Sequence, residues 1–196
     1  MIEYLSNTSA RIVNIVGLPA CGKSSICAEL GKKGFEIHRP SDAIRRYAAL
    51  HDRVLHGRQD YQTCHAEMID IDPEAMIRSV LESDARYICL DGLRAPAAMR
   101  RLKQQYGQDE AISTALECPL EERFARSQAD DTRHGHRRQE ALEQFRLDEL
   151  PDYHNDNPNM VSMDDMFREA DYTVDAARAL PEVWREVWGI VRGNIG

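Results

Sequence analysis

Residues Gly17 to Ser24, reading Gly-Leu-Pro-Ala-Cys-Gly-Lys-Ser, limit what this chain can fold into more than any other feature. Two glycines at this spacing let a backbone wrap around an anion without Cβ clashes, so that successive N–H groups and the positive end of a following helix hold phosphate. The flanks fit that use. Arg11-Ile-Val-Asn-Ile-Val16 is a short, β-branched apolar run, and Ser24-Ser-Ile-Cys-Ala-Glu-Leu30 has helical spacing and ends at Gly31, so the unit predicts strand, loop, helix. Gly17, Ala20, Cys21, Gly22, Lys23, Ser24 and Ser25 are the candidate cradle for a nucleoside triphosphate. In such a loop Lys23 reaches the β/γ oxygens and the Ser24 hydroxyl ligates Mg²⁺.

Composition narrows the class further. A chain of 196 residues, 42% hydrophobic, can bury one sizeable core, and no apolar stretch approaches the roughly 20 residues of a membrane span. The N-terminus shows no charged-then-apolar signal pattern, so a cytoplasmic protein without a membrane partner is expected. Cys21, Cys27, Cys64, Cys89 and Cys118 form no Cys-x-x-Cys pair, which predicts reduced thiols rather than a disulfide framework or a cysteine zinc site. A net charge of −8 repels polyanions and argues against a dedicated nucleic-acid binder.

Strand and helix signals alternate along the chain as in an α/β fold around a mainly parallel sheet of about five strands. Phe35–His38, Arg86–Leu90, Ala111–Leu116 and Tyr172–Val174 read as the later strands. Pro40-Ser41-Asp42 starts a helix to about Leu50, and Asp60-Tyr61 and Asp72-Pro73 start two more, an all-helical excursion between strands. Further helices are expected from Ala95 to Tyr106 and after Pro119. Leu180, Val183, Trp184, Val187, Trp188 and Val191 recur at helical spacing, a core-packing stripe. His51, His56 and His65 have no metal-ligand spacing and read as surface or packing residues.

Asp91, at the C-terminal end of a buried strand, stands where a carboxylate could hold Mg²⁺ beside the phosphate loop, and Arg94 leaves the same strand end. With Asp42-Ala-Ile-Arg45, Asp91-Gly-Leu-Arg94, Arg123-Phe-Ala-Arg126, Arg146-Leu-Asp-Glu-Leu150 and Ala170-Asp-Tyr172 following the phosphate loop in that order, the chain resembles the adenylate-kinase-like P-loop nucleoside monophosphate kinases, including a prokaryotic dephospho-CoA-kinase-related branch. The resemblance implies a three-layer α/β/α P-loop NTPase fold in one domain. Its core would comprise 10–40, 84–126 and 140–196, with a helical acceptor-binding insertion at about 41–83 and a small lid at about 127–139. It further implies ATP and Mg²⁺ as cofactors, with Lys23, Arg123, Arg126 and Asp91 as catalytic groups and Ser24 and Asp91 at the metal. Asp42, Arg45 and Arg94 would bind a nucleotide or other phosphorylated acceptor. His134-Gly-His136, among Arg133, Arg137 and Arg138, reads either as a lid tip contacting phosphates or as an exposed polar loop without a further role.

The expected activity is in-line transfer of the ATP γ-phosphoryl group to a nucleoside or deoxynucleoside monophosphate, driven by positioning and charge neutralisation. Alternatives remain open. A hydroxyl kinase such as a dephospho-CoA kinase would use Asp42 as base, a nucleic-acid kinase would need local basic surface, and a regulatory ATPase would lack an acceptor.

Overall fold

The computed structural model describes residues 11–129, 141–153 and 162–193. The central strand β1 (Ile12–Gly17) runs into the phosphate loop and helix α1 (Lys23–Lys32). Strand β2 (Glu36–His38) leads into the helical stretch α2 (Pro40–Leu50), α3 (Arg58–Ile71) and the short α4 (Arg78–Leu81). Next come β3 (Ile88–Asp91), α5 (Pro96–Tyr106), β4 (Ala111–Glu117) and α6 (Leu120–Ala129). The remainder comprises α7 (Leu142–Leu147), α8 (Leu150–Tyr153), α9 (Met163–Arg168), β5 (Tyr172–Asp175) and α10 (Leu180–Val191).

The five strands form one all-parallel sheet in the order β2-β3-β1-β4-β5. Alternation along β1 sends Val13 and Ile15 to one face and Ile12 and Val16 to the other, and every residue of the strand is buried. On the first face α1 supplies Ile26, Cys27 and Leu30, and α10 supplies Val183, Val187, Ile190 and Val191. The opposite face is covered by α2, α3 and α5 around Leu90, Leu93, Met99 and Leu102, and by α9 through Met163 and Met166. The stripe on α10 is core packing, with Trp184 and Trp188 stacked at 5.4 Å along its margin.

The helix start expected at Asp72-Pro73 is absent from the structure. That pair opens a run of turns, and α4 begins only at Arg78. The Asp72 carboxylate accepts from the Glu74 N–H at 3.1 Å and pairs with Arg78, closing an Asx turn in place of a helix cap. All five cysteines are unpaired thiols, four of them buried. Among the described residues no helix is long and apolar enough to cross a membrane.

Candidate active site

Gly17 ends β1 with φ +154°, and a Cβ there would lie 2.6 Å from Cys21 Sγ and 2.8 Å from the Leu116 carbonyl of β4. Gly22 takes φ +100° at the N-cap of α1, and Ala20 takes φ +60°, so the loop curls through two left-handed residues before the helix begins. No acidic side chain stands in the first turn of α1, which leaves its N-terminal dipole uncompensated toward the loop. Lys23 Nζ folds over this curl and donates to the carbonyls of Gly17 at 2.8 Å and Leu18 at 2.9 Å. Burial lowers its pKa from the ordinary lysine value, with the Arg94 charge acting in the same sense and nearby Cys21 and Asp91 opposing.

Strand β3 delivers the second element. Ser24 Oγ donates to Asp91 Oδ2 at 3.3 Å, and Arg39 Nε lies 3.8 Å from the same oxygen. Gly92 follows with φ +86°, bringing the chain within 3.8 Å of Lys23 at its would-be Cβ. A hydroxyl and a carboxylate oxygen converging beside a phosphate loop are the kind of hard oxygen donors that would suit Mg²⁺. Among the described residues no cluster of three or more His, Cys, Asp or Glu could hold a metal by itself.

One residue that positions this site escaped the sequence reading. Asn14, fully buried in β1, donates to Leu93 O at 3.0 Å and to Ser113 Oγ at 3.3 Å, and accepts from Leu93 N at 3.1 Å. It clamps the backbone between Asp91 and Arg94. Its signal was present as the lone amide in an apolar β run, a placement that demands buried partners.

On the α2–α3 side, Arg45 Nη1 donates to Asp42 Oδ1 at 2.5 Å and to Ser41 Oγ at 3.3 Å, while its Nε donates to Tyr61 Oη at 3.1 Å. The Tyr61 hydrogen bond is the main cause raising the Arg45 pKa. Arg94 is bound by Asp152 of α8 at 2.9 Å, whose carboxylate is only 3% exposed. Both expected acceptor-binding arginines therefore already carry a carboxylate partner.

Arg123 departs from expectation. It was expected to face the transferred phosphoryl group as a lid arginine, yet it is 3% exposed and forms a two-point ion pair with Glu149. Its Nε donates to Cys118 O at 3.0 Å, an Nη reaches Pro19 O at 3.4 Å, and the guanidinium lies over the Phe145 ring. A buried guanidinium must be paired on all sides, and the pairing here ties the phosphate loop to α6 and to the end of α7. Arg126 is more open, donating to Glu122 at 3.1 Å and to Ala177 O of the β5–α10 turn at 3.2 Å. Beside the loop, a cleft of about 620 Å³ opens at the C-terminal ends of β4 and β5, lined by Leu18, Leu116, Arg123, Tyr153 and Phe167 among others. The expected lid, including His134 and His136, lies almost wholly outside the described residues.

Residues 13–147 match the AAA domain family. A UPF0200/UPF0201 protein of Archaeoglobus fulgidus is 29% identical over 123 residues, 59% of this chain; the match spans 38% of that relative's length. Among solved structures, a shikimate kinase from Bacteroides thetaiotaomicron superposes with TM-score 0.57 at 11% identity, covering 90% of this chain and 95% of its own. A gluconokinase from Sinorhizobium meliloti gives 0.51 at 15% identity, covering 95% and 94%. At these identities the likeness is one of fold, a P-loop α/β fold with a five-stranded all-parallel sheet.

Proposed function

The chain belongs to the AAA domain family, and we propose that it is an ATP-dependent phosphotransferase acting on a small-molecule acceptor. The reading is carried by the convergence of Lys23 Nζ on the phosphate loop with the Ser24 hydroxyl and Asp91 carboxylate, 3.3 Å apart, at one strand-end crevice.

The loop N–H groups and the α1 N-terminus bind the β- and γ-phosphates, and Lys23 exchanges its two loop carbonyls for phosphate oxygens. Ser24 and Asp91 would hold Mg²⁺, which would supply charge neutralisation to the phosphates. Asn14 keeps the Asp91–Arg94 backbone in register with the loop. Arg126, at the outer end of α6, is the more exposed arginine of that helix and would reach the transferring group by exchanging Glu122 and the Ala177 carbonyl for phosphate oxygens, while Arg123 fixes the loop's outer wall through Pro19. Residues 41–83 form the acceptor-binding insertion in this reading, and 127–139 the lid.

For the acceptor, the order Asp42, Arg45, Arg94 supports a nucleoside monophosphate. A second reading, a hydroxyl-bearing acceptor without a phosphate at this point, is favoured by the carboxylate partners that Arg45 and Arg94 already hold. The activity is tested by following product formation from Mg-ATP across nucleoside monophosphates, dephospho-CoA, shikimate and gluconate. Lys23→Ala should fold normally and lose at least about a hundredfold in turnover, and near-normal turnover in that variant would sink the assignment.

A further inference from the structure

His65 lies on α3 with 6% of its surface exposed, and its Nε2 is sealed from solvent with no hydrogen-bond partner among the described residues. Its neighbours on the helix, Cys64 and Met68, fill the apolar cluster beneath β3 and account for the packing there. The imidazole lies within reach of the Arg94 charge. Burial first, and the Arg94 charge second, push its pKa down to about 4, so the ring is neutral at pH 7. The charge of Arg94 also acts on Lys23 in the same sense, so one guanidinium influences both the phosphate-loop lysine and His65. Its carboxylate partner is the nearly buried Asp152, 2.9 Å away.

We propose that His65 is a specificity-determining residue of the acceptor site, which together with Arg94 reads a hydroxyl group of the acceptor. The inference rests on the phosphotransferase reading and deepens it. A hydroxyl is both donor and acceptor, so its proton satisfies Nε2 while its oxygen accepts from the guanidinium. A phosphate dianion has no proton to give and would bring two negative charges to a cluster that already sums to zero, Arg94 against Asp152 beside a neutral ring. The substrate class that fits is a small polyol or sugar acid. The bridging hydroxyl pairs the buried nitrogen that otherwise has no partner among the described residues. A site that pairs buried polar groups with a substrate hydroxyl also discriminates strongly against analogues lacking it.

The test follows phosphate-ester formation by ³¹P NMR from Mg-ATP with shikimate, gluconate, dephospho-CoA, AMP and dAMP, using wild type, His65→Phe and His65→Gln. A hydroxyl-bearing compound should be phosphorylated, with its KM raised at least about tenfold in His65→Phe and restored to within about threefold in His65→Gln, while kcat and the KM for ATP move by less than about threefold. In wild type, the His65 Nε2 ¹⁵N resonance should shift on adding that acceptor and stay in place with Mg-ATP alone, a readout that survives any folding defect in the variants. An unchanged acceptor KM in folded His65→Phe, a static Nε2 resonance, or turnover confined to AMP and dAMP would each overturn the proposal. So would ATP binding without phosphorylation of any compound, whereas wild type that fails to bind ATP would remove the phosphotransferase reading itself.

Discussion

Replacing Gly17 by alanine tests the phosphate loop at its tightest point. The new Cβ would meet Cys21 Sγ at 2.6 Å and Leu116 O at 2.8 Å, on a backbone with φ +154°. A non-glycine residue forced into such a region costs about 1–3 kcal/mol. Overpacking adds about 1–3 kcal/mol, so the expected loss is about 2–6 kcal/mol against a total stability of about 5–15 kcal/mol. The two contacts differ in kind. Cys21 Sγ ends a short side chain that Cys21→Ala removes, whereas Leu116 O belongs to β4, in register opposite Gly17, and can move only with the sheet. Urea unfolding of both single variants and the double variant separates them. Gly17→Ala should lower the midpoint strongly, and the double variant should regain about 1 kcal/mol while remaining less stable than Cys21→Ala. A Gly17→Ala midpoint equal to wild type would refute the reasoning. A double variant as stable as Cys21→Ala would show that the carbonyl contact and the backbone angle carry no cost.

Glu149→Ala strands the Arg123 guanidinium in a buried site and should cost about 3–5 kcal/mol in thermal or urea unfolding, whereas Arg123→Met with Glu149→Leu should cost less or even stabilise; a single variant no worse than the double contradicts this. Stability should also fall as pH drops from 6.5 toward 4. The folded His65 titrates near 4 and an unconstrained imidazole near 6.5, so in that window the unfolded chain binds the extra proton, a loss of about 3 kcal/mol that levels off below pH 4. His65→Gln should flatten that slope, and an unchanged pH dependence in the variant would count against a buried neutral ring.

The strands were legible because each is a short run of β-branched or apolar residues bounded by turn signals, and the phosphate loop because its spacing has a mechanism. Asp91 and Ser24 could be brought together on paper, since both sit at ends of elements whose order is set by the parallel crossover. What stayed hidden depends on partners distant in the chain. Arg123 reads as one more arginine on a helix, and only Glu149, 26 residues later, turns it into a buried strut. Asp152 gives no hint of Arg94, nor does His65, set between Cys64 and Ala66, announce that its far nitrogen is buried without a partner among the described residues. Short-range spacing reports local conformation; long-range pairing of charge emerges only after packing.

The amide of Asn14 joins backbone and side-chain groups 79 and 99 residues further along the chain. During synthesis β1 therefore leaves the ribosome long before either neighbouring strand exists, and its six residues, all destined for burial, have no strand to pair with until β3 at about residue 91 and lack their second neighbour until about residue 117. At about 5–20 residues per second that wait lasts several seconds. The nucleotide loop, although near the N-terminus, is thus one of the last parts of the molecule to become competent, and a nascent chain truncated before β4 should neither bind nucleotide nor escape holding chaperones.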